Sequence, residues 1–122
     1  MSNKKNKIPT IFKPSGVSFC QNEINKLKKG DLLELKLDPN NKYDKYAILV
    51  NNLDGGKCGF VPRKMKVNVI QDSVSEEVEV ELNKLLHSKF DKIQKKYNLK
   101  VHEIYKWDGP TGLEVTFEKK QH

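Results

Sequence analysis

Leu33, Leu35 and Leu37 alternate with Glu34 and Lys36, which is the period-two pattern of a strand that buries one face. Ala47-Ile48-Leu49-Val50 is apolar on consecutive positions and predicts a strand covered on both sides or curled into a barrel. Asn51-Asn52-Leu53-Asp54-Gly55-Gly56 carries hairpin chemistry, with glycines for positive φ, and Cys58-Gly59-Phe60-Val61 forms the return strand before Pro62. Upstream, Gly16-Val17-Ser18-Phe19-Cys20 predicts a short strand. Gln21 to Leu27, with Ile24 and Leu27 three apart, predicts a single helical turn ending at Lys29-Gly30. Arg63 to Gln71 is read as a short helix carrying Met65, Val67, Val69 and Ile70, with an irregular extended segment as the alternative. Ser73 and Glu76 form a capping-box spacing. Val78, Leu82, Leu85, Leu86, Phe90, Ile93 and Tyr97 continue at helical spacing, so one long amphipathic helix is expected up to Asn98. Val78, Val80 and Leu82 also alternate with glutamates, which leaves a strand as the alternative start of that stretch. Val101 to Trp107 and Leu113 to Phe117 close the pattern as a hairpin around Asp108-Gly109-Pro110-Thr111-Gly112.

Short strands, tight turns and one long helix predict a mainly β (α+β) fold, a small OB-like, partly open barrel with the helix closing one end. The 122 residues suffice for one core and are too few for two. Residues 1–13 carry Lys4, Lys5, Lys7 and Lys13 without an acidic residue and are expected to be a flexible basic arm, leaving 14–120 as a single domain.

Charge narrows the possible partners. With 23 Lys and Arg against 16 Asp and Glu, the net charge of +7 favours polyanions, although most surface lysines serve solubility. No apolar run reaches the roughly 20 residues needed to cross a bilayer. The N-terminal residues lack the apolar core of a signal peptide, so the chain is expected in the cytoplasm, or in the nucleus of a eukaryotic host, without a membrane partner. Cys20 and Cys58 have neither zinc nor disulfide-framework spacing and are expected to be reduced, strand-borne thiols. His87, His102 and His122 are scattered, and no nucleophile motif or phosphate-cradling glycine loop is present, so no enzyme and no cofactor are expected.

The chemistry concentrates in Asp38-Pro39-Asn40-Asn41-Lys42-Tyr43-Asp44. Proline presets φ there, Asn and Asp bond the local backbone, and a ring, a hydroxyl and a carboxylate emerge at the mouth of the next strand. Such a set suits recognition of a polar, ring-bearing ligand. Asn41 and Asp44 are equally suited to capping the turn, while packing is the favoured reading of Phe19 and of Trp107, the latter against the helix, and Tyr43 beside its polar turn stands nearer parity. A third option, Asp38, Asp44 and Asp54 gathering Mg²⁺ for nuclease work, is carried as the least supported.

Four stretches resemble the HIRAN domain family: Gly16-Val17-Ser18-Phe19; Leu27-x-x-Gly30-Asp31; Asp38 to Val50 with its Asn-x-Tyr-Asp-x-x-Ala-Ile core; and Gly59-Phe60-Val61-Pro62-Arg63. Together they span residues 14 to 66. The family occurs at the N-terminus of fork-remodelling DNA-repair helicases and as free-standing proteins. The resemblance implies a pocket for the 3′ end of single-stranded DNA. In it Phe19 and Tyr43 stack and pack, Asp44 accepts from the terminal hydroxyl, Asn41 bonds base or backbone, Phe60 forms a second wall, and Arg63 with Lys64 neutralises a phosphate. This chain departs from the pattern at Ser18, Phe19 and Cys20, where helicase members carry a basic residue and tyrosines. One phosphate contact and two hydroxyl donors are thereby missing.

The expected function is therefore a non-enzymatic module that binds single-stranded DNA or DNA ends. The alternative is a protein-interaction module, in which the barrel or the long helix docks on a replication, repair or restriction partner.

Overall fold

The structure, a computed structural model, describes residues 8–121. In chain order the elements are β1 (Ile11–Phe12), a 3₁₀ turn (Val17–Phe19), α1 (Gln21–Ile24), β2 (Leu32–Leu37), β3 (Ile48–Asn52), β4 (Lys57–Phe60), β5 (Met65–Gln71), β6 (Val74–Val80), α2 (Leu82–Ser88), α3 (Phe90–Lys96), β7 (Tyr97–Tyr105) and β8 (Gly112–Lys119). Six strands form one antiparallel sheet in the order β1-β8-β7-β2-β3-β4, and β5 pairs with β6 as a separate two-stranded ribbon.

The alternation of β2 sends Leu33 and Leu35 into the core, and its register sets Leu35 opposite Val50 of β3. Leu99 and Val101 of β7, with Leu113, Val115 and Phe117 of β8, line the same core, which Leu82, Leu86 and Ile93 of the two helices complete. Each such buried side chain contributes about 1.5–3 kcal/mol relative to exposure. Gln94 Nε2 donates to the Leu35 carbonyl at 3.0 Å, tying α3 to β2. Among the described residues no helix is long and apolar enough to cross a membrane.

The barrel is curled without being closed by a continuous ladder. β1 and β4 are the sheet's two edges, yet the segment following β1 reaches across to β4. Ser15 N–H donates to Phe60 O at 2.8 Å, and Phe60 N–H donates to Ser15 O at 2.9 Å. Gly59 permits this seam, because a Cβ on it would stand 2.7 Å from the Ser15 carbonyl oxygen.

Four expectations are corrected. The long helix over Ser73–Asn98 is instead β6 followed by two seven-residue helices. Asp72 (φ 53°) and Ser73 (φ 66°) form the turn of the ribbon, so Ser73 caps no helix, and period-two alternation prevails up to Val80. The helix read over Arg63–Gln71 is strand β5, since Met65, Val67 and Val69 alternate with Lys66, Asn68 and Ile70 and pair with β6. Gly16–Cys20 is a 3₁₀ turn and not a strand. Gly16 enters it at φ 74°, and Phe19 N–H and Cys20 N–H close back onto Gly16 O and Val17 O. Cys20 accordingly precedes α1, while Cys58 lies in β4; both thiols are buried and free. Within the expected arm, residues 1–7 lie outside the described residues, but Ile11 and Phe12 pair with Thr116 and Val115 of β8. Phe12 is 1% exposed and packs 5.8 Å from the Phe117 ring, so the ordered fold begins before residue 14.

Candidate nucleic-acid interface

The turn between β2 and β3 is built by its own side chains. Asn41 Oδ1 accepts from Tyr43 N–H at 2.9 Å and from Asp44 N–H at 3.1 Å, while its Nδ2 donates to Asp38 Oδ2 at 3.1 Å. Asp44 Oδ1 in turn accepts from Tyr46 N–H at 2.9 Å. These local bonds hold the backbone in a shape that a flexible loop would lose much entropy to adopt.

Tertiary contacts then fix the carboxylate. Asp44 Oδ2 accepts from Asn83 Nδ2 of α2 and lies 3.4 Å from Arg63 Nε. Arg63 Nη2 also donates to the Tyr43 carbonyl at 3.0 Å. Asp44 keeps only 17% of its side chain exposed, whereas Arg63 keeps 67%. Three donors thus converge on two oxygens with about four acceptor sites, leaving capacity for one further donor from solvent or a ligand. The Arg63 guanidinium spends part of its donor fork on the turn and presents the rest outward.

Asn41, Tyr43, Asp44 and Arg63 therefore form one bonded cluster, with Tyr43 at its outer edge and 88% exposed. A ring so open contributes little to the core. Phe60 lies three residues before Arg63; it is half-buried beside Gly16, with Lys57 Nζ 4.4 Å above its ring centroid. Phe19 stands apart on its 3₁₀ turn at 90% exposure. It lines an open cleft of about 420 Å³ with Ser18, Cys20, Gln21, Glu23 and Lys57, a volume within the range of small-ligand pockets. Glu23 is held there by Asn52 Nδ2 at 2.7 Å. Lys64 is directed elsewhere, lying 3.6 Å from Glu79 of the ribbon. Phe19, Phe60 and Lys57 thus make a second patch, joined to the Tyr43 cluster through the short chain from Phe60 to Arg63.

Several participants escaped the sequence reading. Asn83 carries no local signal, because its partner lies 39 residues away. Tyr46 packs edge-on against His87 at 5.3 Å, with Lys45 and Lys84 ammonium groups 5.2 and 5.5 Å from its ring. Lys57 was legible only as one lysine among many until β4 placed it over Phe60. Asp38, Asp44 and Asp54 are not drawn together: among the described residues no group of three His, Cys, Asp or Glu could hold a metal ion. Asp38 and Asp44 instead serve the turn. The long helix proposed as a protein-docking face is likewise replaced by the ribbon and two short helices.

Comparison with known proteins agrees with this architecture. The HIRAN domain of human HLTF superposes with a TM-score of 0.56 at 22% identity, covering 88% of this chain and 74% of that one. A protein from Lactobacillus plantarum gives a TM-score of 0.55 at 17% identity, covering 90% and 93%. At such identities the likeness concerns the fold. No curated protein matches the chain in sequence. The model of the HIRAN domain matches residues 11–71, half the chain, and spans the seam, the Asn41–Asp44 turn and Arg63. By that match the chain belongs to the HIRAN domain family.

Proposed function

We propose that this protein is a non-enzymatic module that binds single-stranded DNA, with preference for a free 3′ end, at the Tyr43–Asp44–Arg63 cluster. The observation that carries the reading is the exposed Tyr43 ring on a turn locked by Asn41, Asp44 and Arg63. A turn whose backbone is already held meets an unpaired base with little further loss of backbone entropy, and stacking of an open ring on one base contributes about 1–3 kcal/mol. Arg63 and Lys57 supply positive charge for the adjoining phosphates, and the overall charge of +7 steers the encounter. The remaining acceptor site on Asp44 fits a terminal hydroxyl. A bridging phosphate has no proton to offer it, so this carboxylate favours an end over an internal position.

The test is fluorescence anisotropy with a labelled short strand at two salt concentrations, carrying either a 3′ hydroxyl or a 3′ phosphate. Binding is expected to weaken with salt, to prefer the hydroxyl, and to fall about tenfold or more in Tyr43→Ala. Equal affinity for both ends removes the end recognition. Wild-type affinity in Tyr43→Ala removes the site.

A further inference from the structure

Trp107, at the tip of the β7–β8 hairpin, is 70% exposed and yet rigidly held. Its Nε1 donates to the Pro110 carbonyl at 2.7 Å, and its ring lies so close on Gly109 that an added Cβ would stand 2.7 Å from it. The indole thus has its polar atom satisfied and one face against backbone, which leaves the other face open without a core to fill. Tyr105 repeats the arrangement: its ring lies on Gly112, with Lys13 Nζ 5.2 Å from its centroid. Lys106 stands between the two rings in sequence with Asp108 following, and burial raises the Tyr105 phenol pKa, helped by Glu114 and Glu103 close by.

The hairpin loop is fastened to the cleft that Phe19 lines. Gln21, a wall of that cleft, donates from Nε2 to Thr111 O at 3.0 Å and accepts at Oε1 from Thr111 N–H at 2.8 Å. Thr111 Oγ1 adds a bond to Asn25 Oδ1 at 3.1 Å. Gln21 Nε2 also donates to Val17 O at 2.8 Å, within the turn that presents Phe19. One amide side chain therefore bridges the two aromatic sites and holds them in fixed relation.

We propose that Trp107, with Lys106 next to it in sequence and Lys13 at the Tyr105 ring, is a second stacking platform over which a bound single strand of DNA continues beyond the Phe19 cleft. The proposal rests on the single-strand reading of the Tyr43 cluster and extends it from an end pocket to a track. Rings bearing an open face, interleaved with cations, form the surface an unpaired strand uses irrespective of sequence.

Trp107 is the only tryptophan in the chain, so its emission reports the contact directly. Oligothymidylates of about 4 and about 12 nucleotides are titrated into the full-length protein, and binding is followed in parallel by anisotropy and by tryptophan emission. The expected result is quenching by the longer strand with the same midpoint as anisotropy. Trp107→Ala should weaken the longer strand about tenfold and leave the shorter one unchanged. Binding of the longer strand with unaltered emission, or wild-type affinity for it in Trp107→Ala, overturns the platform and leaves the Tyr43 site standing. Failure of both strands to bind wild-type protein overturns both readings together.

Discussion

Removing the Asp44 carboxylate tests the logic of the turn more directly than any binding assay. In Asp44→Ala the Tyr46 N–H loses its acceptor, a change comparable to losing a helix cap and costing about 1 kcal/mol. Asn83, only 4% exposed, keeps a buried amide donor without Asp44, at about 1–3 kcal/mol. The Arg63 contact adds little, because that side chain is largely in solvent. The sum is about 2–4 kcal/mol, a large part of the 5–15 kcal/mol typical of a domain. For a chain of this size that lowers Tm by about 8–16 °C. Asp44→Asn is informative in a different way. It retains an acceptor for Tyr46 but sets one NH₂ group against another, and Asn83 cannot flip without withdrawing Oδ1 from Lys84 N–H at 2.8 Å. Urea unfolding of Asp44→Ala, Asn83→Ala and the double variant provides the assay. The expected coupling is about 1–2 kcal/mol, since either single change already breaks the shared bond. Additivity within about 0.5 kcal/mol would refute the claim that α2 anchors the turn through this pair.

Two further outcomes follow from the same architecture. Gly59→Ala is expected to destabilise by about 2 kcal/mol, through its positive φ of 153° and the 2.7 Å approach to Ser15 O, and to open the seam at Ser15–Phe60; faster amide exchange at Ser15 and Phe60 than in wild type would register it, and unchanged protection there would count against it. Burial pushes the Cys58 thiol up to about 11 from its ordinary 9.0; the unfolded chain releases its proton first, so stability should fall as pH rises from about 9 to 11, and native protein should label at Cys58 no faster than it unfolds, which mass spectrometry after alkylation measures.

The amino-acid sequence alone determined the elements whose pattern is local. The alternation in β2, the apolar run of β3, the glycine turn before β4 and the terminal hairpin all follow from side chains two or four residues apart. The Asn41–Asp44 turn was legible for the same reason, because its bonds span only two or three residues. Between Arg63 and Asn98 two periods overlap, with valines two apart in the manner of a strand and leucines three and four apart in the manner of a helix. Cross-strand pairing of β5 with β6 settled that competition, and pairing is not written in either strand separately. Exposure was likewise a tertiary decision: Phe12, read as part of an arm, is in the core, while Phe19, Tyr43 and Trp107, suited by residue type to packing, stand in solvent. An aromatic residue carries the same apolar area in either place, and only the arrangement of the other strands leaves room for it inside or keeps it out. The partnership of Asp44 with Asn83 arose the same way, from elements brought together by a core that no short window of sequence describes.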